Sequence, residues 1–183
     1  MKDYIEQANR TCSDQFYWPG PVHPKQLVAF FENMQIIGSD ADNFKKAIFY
    51  GRTDVVSHDY DPMDIDFPLD KNFLHGLLGI VSEASELTEA VVNSITMKDG
   101  FDRTNFIEEM GDIMWYLAIM AKALGVTFEE IQEKNIAKLR ARFPDKFTED
   151  NANNRDLDKE REVLEQPQSG EPGDGHLSTF MND

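Results

Sequence analysis

The stretch NFIEEMGDIMWYL, residues 105–117, sets three acids into what otherwise reads as an apolar helix. Ile107, Met110, Met114 and Leu117 recur at steps of three and four, the spacing of one helical face. Glu108, Glu109 and Asp112 sit at the margin of that stripe. A helix meant only for packing has no use for carboxylates there, so their placement asks for a chemical reason.

The apolar line continues through Ala121 to Leu124, which predicts a helix from about Thr104 to Leu124 with Gly125 as its C-terminal cap. Upstream, Phe73, Leu77, Ile80, Ala84, Leu87 and Val91 form a second seam with the same alternation, broken by TMKDG at 96–100. Downstream, Thr127 and Glu130 have capping-box spacing, so a third helix opens there. It ends near Arg142, because Pro144 disfavours helix at Phe143. Two long seamed helices joined by a short break imply an antiparallel hairpin. One hairpin leaves apolar surface uncovered, so a partner chain is expected to complete the bundle.

The acids come in pairs. SEASE places Glu83 and Glu86 three apart on the first seamed helix, and Glu109 and Asp112 are three apart on the second. Residues three apart share a face, separated by about 4.5 Å along the axis. In an antiparallel hairpin the two pairs can face each other. Four carboxylates brought together repel, and either take up protons or hold a cation. No histidine stands at the fourth position after any of these acids, so the Glu-x-x-His pattern of bundle di-iron sites is missing. All-oxygen ligands suit hard ions, Mg²⁺ or Mn²⁺. On the third helix Ile131, Asn135, Lys138 and Arg142 line one face. Lys138 and Arg142 suit phosphate oxygens and Asn135 a sugar or base; the same cations also suit an ordinary basic helix end favoured by the macrodipole.

The flanks are plainer. PKQLVAFFENMQIIG, 24–38, reads as a helix stopped by Gly38, and SDADNFKKAIFYG, 39–51, as a further helix capped by Ser39 or Asp40 and ended by Gly51. The aspartate-rich, proline-containing run from Arg52 to Asp70 reads as a loop. RDLDKEREVLE makes a short charged helix, and residues 166–183 are too polar to bury a core and read as a flexible tail. The division expected is an N-terminal helical extension and acidic loop at 1–70, a catalytic helical core at 71–147, a charged helical extension at 148–165 and the tail. Trp18, Phe49 and Tyr50 could stack on a base, Tyr116 could line a pocket, and His75 reads as a helix-start residue.

With 183 residues, 40% of them hydrophobic, the chain can build a real core. A formal net charge of −16 argues against nucleic acid or an anionic membrane as partner. Cys12 is the sole cysteine, so no disulfide forms within the chain, and no run of about 18 apolar residues suggests a span. A cytoplasmic protein is expected. An acidic protein acting on an anionic substrate needs a cation as intermediary, which the carboxylate pairs would hold.

The ordered set EASE, EEMGDIMWYL and KNIAKLRARFPDKF, spanning about Phe73 to Phe147, resembles the MazG-like all-α nucleoside triphosphate pyrophosphohydrolases, and the charged extension resembles small single-domain members found in phages. The resemblance implies a helical bundle completed as a homodimer or homotetramer. It implies hydrolysis of a (d)NTP to the (d)NMP and pyrophosphate. It implies Mg²⁺ ligation by Glu83, Glu86, Glu109 and Asp112, and substrate contacts from Asn135, Lys138 and Arg142; in the mechanism expected here, a carboxylate not fully used as ligand, Glu83 or Glu86, accepts the proton of the attacking water. This chain departs from the pattern at Ser82, where the family's first motif often carries an additional acid. The competing expectations are a non-catalytic dimerisation or regulatory module on the same scaffold, and a sensor that binds nucleotide without cleaving it.

Overall fold

The computed structural model describes residues 4–17, 20, 22–56, 69–96 and 100–166. Among the described residues the regular structure is entirely helical: α1 (Tyr4–Asn9), α2 (Pro24–Tyr50), a 3-10 turn (Thr53–Val55), α3 (Lys71–Ile95), α4 (Arg103–Leu124), α5 (Phe128–Arg142), α6 (Glu149–Asn153) and α7 (Leu157–Glu165). The all-α class expected from the seams is the class observed. The chain forms two compact units. Among the described residues one comprises 4–17 and 126–166, the other 20–125. The bulk of the acidic loop, residues 57–68, the flexible tail expected after Gln166, and Trp18 lie outside the described residues.

The larger unit is organised on α3, which packs against both α2 and α4. Local chemistry sets the ends of these helices. His23 and Gln26 form a reciprocal capping box before Pro24, and Gly51 closes α2 in the left-handed conformation at φ 69°. Asp70 caps α3, accepting from the Asn72 N–H at 2.7 Å. Asp102 caps α4 by accepting from the N–H groups of Thr104 and Asn105, and Gly125 ends it at φ 69°.

Two sequence expectations fail here for one reason. The chain does not stop at Gly38: α2 runs unbroken from Pro24 to Tyr50, so Ser39 and Asp40 cap nothing. Gly38 marks a close crossing instead, since a Cβ there would lie 1.8 Å from Ser85 Oγ. The second failure is the seam of α4. Its face toward α3 is not the apolar line but the line carrying Glu109 and Tyr116, both buried, together with Met120. Of that line Ala121 is buried, while Ile107, Met110, Met114, Leu117 and Leu124 are left exposed on this chain. Gly76 and Gly79 make the difference. A Cβ at Gly76 would meet Met120 Cγ at 2.3 Å, and one at Gly79 the Tyr116 ring at 2.2 Å. These small residues let a tyrosine and a methionine settle against the α3 backbone, whereas a seam count treats them as gaps. Around the crossing His75 stacks on Phe49 with ring centroids 4.3 Å apart and meets Tyr50, Trp115 and Tyr116 edge-on.

The smaller unit packs α1 and α7 on α5. Helices α1 and α6 were not foreseen; each is at most six residues long and carries no periodic signal. The Thr127 side chain caps α5 as its spacing predicts, accepting from the Glu130 N–H at 3.1 Å, and the charged helix foreseen near residue 157 is α7. Arg10 donates to the carbonyls of Phe143, Pro144 and Asp145, tying the end of α1 to the end of α5. Helix α7 is held by Glu160, a buried carboxylate gripped bidentately by Arg142 at 2.8 and 2.6 Å and by Arg155 at 3.3 and 2.8 Å. The hydrogen bonds from the two guanidiniums hold its pKa down at about 2.

Two outcomes are expected. Gly79→Ala should destabilise the chain by about 1–3 kcal/mol in urea unfolding, because overpacking against Tyr116 outweighs the roughly 1 kcal/mol that helix propensity favours alanine. At Gly111, where a Cβ meets nothing within 4 Å, alanine should be neutral or stabilising. Glu160 contributes stability that is present above its unfolded pKa near 4.5 and is lost as pH falls toward 2. Hydrogen-exchange protection of α7, taken relative to the intrinsic rate at each pH, should therefore fall across that window in the native chain, and already at neutral pH in Glu160→Gln.

Candidate functional site

Helices α3 and α4 bring Glu83, Glu86 and Glu109 together. One carboxylate oxygen from each lies within 4.8 Å of the others; Glu83 and Glu109 are buried and Glu86 is exposed. The burial follows from the crossing just described, since α4 turns the Glu109 face toward α3. Asp112, three residues on, is exposed and lies outside this three-carboxylate group.

The crowding has an electrostatic signature. Burial first, then the charges of Glu86 and Glu83, push the Glu109 pKa up to about 7, against a pull downward from the Asn105 side chain. Asn105 Nδ2 donates to Glu109 Oε1 at 2.7 Å. Glu86 is also raised, by burial and then by the neighbouring charges of Glu83 and Asp42. Glu83 has the most local support. Its Oε1 accepts from Lys45 Nζ at 3.4 Å and from Ser82 Oγ at 3.0 Å. Lys45 reaches the cluster from α2, is itself 5% exposed, and lies 5.2 Å from the centre of the Tyr116 ring. A shallow cleft lined by Gln35, Asp42, Ser82 and Glu86 gives solvent access at the exposed edge.

These donors fit a hard divalent cation. All are carboxylate oxygens, and two of the three residues are withdrawn from water. His75 is no part of this set: its ring is packed among aromatics and burial lowers its pKa.

The residues expected to meet the rest of a substrate lie in the other unit, on α5. Lys138 is half-buried, and its ammonium has no ion-pair partner among the described residues. The Asn135 Oδ1 accepts from Tyr4 OH at 3.2 Å. The Arg142 fork is engaged by Glu160. The aromatics named as possible base platforms divide: Tyr116 is buried beside Gly79, Phe49 is stacked on His75, and Tyr50 is largely exposed.

Lys45, Ser82 and Asn105 were missed as members of the site. A signal for Lys45 existed. Gly38, Ala41 and Lys45, at steps of three and four, are the three buried residues of α2, so the lysine falls on a line of small residues on an inward face. Reading Gly38 as a stop hid that line.

Residues 72–147 match the family described as the MazG nucleotide pyrophosphohydrolase domain. The "Gene 37 protein" of Mycobacterium phage L5 is 35% identical over 69 residues, which is 36% of this chain and 60% of that relative. The chain thus spans under two thirds of the length of the curated relative it matches. No solved structure matches it. No single helix among the described residues is long and apolar enough to cross a membrane.

Glu109 yields a signed prediction. Its folded pKa lies above its unfolded value, so without metal the native state binds the extra proton between about pH 4.5 and 7, and stability falls as pH rises through that window. A divalent ion must displace that proton. The rise in Tm caused by Mg²⁺ should therefore grow from pH 5.5 to about 7 and then level off, and Glu109→Gln should flatten the profile.

Proposed function

We propose, on the premise that residues 72–147 make this chain a member of the MazG nucleotide pyrophosphohydrolase family, that it hydrolyses a nucleoside or deoxynucleoside triphosphate to the monophosphate and pyrophosphate with Mg²⁺, or Mn²⁺ in its place. The observation that carries the reading is the convergence of Glu83, Glu86 and Glu109 from two helices to within 4.8 Å, with two of the three buried. Packing alone gives no reason to bury carboxylates against one another.

The cation would be held by Glu83, Glu86 and Glu109, with Asp112 as the further ligand proposed from the sequence. When bound it would supply Lewis acidity toward phosphoryl oxygens and acidify the attacking water. The chain's own residues divide the remaining work. Glu83, fixed by Lys45 and Ser82, is suited to a positional role. Glu86 is exposed at the cleft, on the side open to solvent, and is the proposed acceptor for the proton of the water that attacks the α-phosphorus. Asn105 holds the Glu109 carboxylate in register. The resemblance assigns contacts with the rest of the nucleotide to Asn135, Lys138 and Arg142. Lys138 has the free ammonium, and a substrate contact by Arg142 would compete with Glu160. A partner copy is proposed to cover the exposed apolar line of α4; assembly would be as a homodimer or homotetramer, in the cytoplasm.

Incubation with a panel of dNTPs and NTPs and Mg²⁺ should release pyrophosphate and the monophosphate. Orthophosphate as the only product would reject the chemistry. Glu86→Gln and Glu109→Gln should each lower kcat by at least 10²-fold with helicity retained by circular dichroism. Stabilisation by nucleotide without any product would favour the sensor, and neither effect the non-catalytic module.

A further inference from the structure

The metal-site reading counts three carboxylates, yet the cluster already contains a cation. Lys45 Nζ has three protons and faces Ser82 Oγ at 3.0 Å, Asp42 Oδ1 at 3.2 Å and Glu83 Oε1 at 3.4 Å, with the Tyr116 hydroxyl as a further partner. With the ammonium satisfied and the side chain buried, Lys45 has no spare donor and no room to leave. Its anchors are themselves held. Asp42 is also paired with Lys46, and Ser82 Oγ lies 2.9 Å from the Gly79 carbonyl and is 2% exposed as a residue. Lys45 is thus a fixed positive charge on the α2 side of the cluster, supplied by a helix outside the matched domain.

We infer that Lys45 is a resident cation of this site, a positioning residue that takes the place of a second metal ion, so that the nucleotide-free protein binds one divalent ion per chain with an affinity limited by Lys45. The inference rests on the metal-site reading above. Its basis is charge and space together. The three carboxylates are balanced by Lys45 plus one divalent ion, whereas a second divalent ion would leave an excess of two positive charges, of which Asp112 could offset one. Position 82, between Lys45 and Glu83, contributes a hydroxyl and no charge. A divalent ion bound to Glu83 must also share that carboxylate with the ammonium, and like charges at such separation oppose each other strongly in a buried setting.

The test is Mn²⁺ binding to the full chain without nucleotide, read by electron paramagnetic resonance and calorimetry. One magnetically isolated Mn²⁺ per chain is expected. An exchange-coupled pair would overturn the inference while leaving the metal site standing, and no binding up to millimolar Mn²⁺ would remove both. Lys45→Met should bind Mn²⁺ at least 10-fold more tightly or admit a second ion, and Lys45→Arg, which keeps the charge, should stay within about 3-fold of the native Kd. Equal or weaker binding by a folded Lys45→Met would show that Lys45 does not compete with the metal. Should Lys45→Met not fold, the spectrum of the native chain still decides between one ion and two.

Discussion

Like charges forced together are the constraint around which the larger unit is built. Glu83, Glu86 and Glu109 converge in a chain that already carries a formal charge of −16, and nothing about hydrophobic burial favours that arrangement. Repulsion of this kind is tolerated only where counter-charge or protonation relieves it. Both kinds of relief are present. Lys45 and Ser82 attend to Glu83, and Glu109 holds a proton up to about pH 7. A cation that replaces the proton removes the conflict, so occupancy of the site and stability of the fold are linked.

The geometry that enforces the crowding comes from small residues. Gly38 and Ser85 let α2 approach α3, and Gly76 and Gly79 let Met120 and Tyr116 of α4 reach the α3 backbone. A methyl group at Gly38 or Gly79 would collide with Ser85 or the Tyr116 ring, and one at Gly76 would displace the Met120 side chain. The same crossings orient α4 so that Glu109 and Tyr116 point inward on one face, and Tyr116 then comes to lie beside Lys45. Packing and site are thus one construction: the glycines that admit the tyrosine also set the rotation that buries the acid.

Much of this was legible in the residues. Carboxylates three apart on two consecutive helices are informative because helical geometry turns a spacing into a shared face, and the cap at Thr127 follows from local side-chain chemistry. The rest depended on which face of α4 meets α3, which periodicity alone does not state. An apolar line can cover a neighbouring helix or await a partner chain, and here the line through Met110 and Met114 is left exposed while glycine gaps in α3 accept the other face. Gly38 shows the same ambiguity. A glycine after an apolar run serves equally as a helix stop or as a point of backbone contact, and only the presence of Ser85 across the interface selects the second. Lys45 was hidden for a further reason: a lysine is ordinarily solvated, and its burial is intelligible only once three acceptors are found around it.

The distribution of charge also separates the roles of the three acids. Glu83 is buried and bonded to a lysine and a serine, so its orientation is fixed before any ligand arrives. Glu109 is buried and supported only by the neutral amide of Asn105, so it is the acid that protonates when the site lacks a cation. Glu86 is solvent-facing at the cleft. In the proposed reaction these surroundings would suit Glu83 to a fixed ligand, Glu109 to a charge-sensing ligand and Glu86 to a mobile base, three roles separated by environment and not by side-chain chemistry. Without Lys45 or Asn105, Glu83 and Glu109 would each lose the hydrogen-bond partner that sets them apart from Glu86.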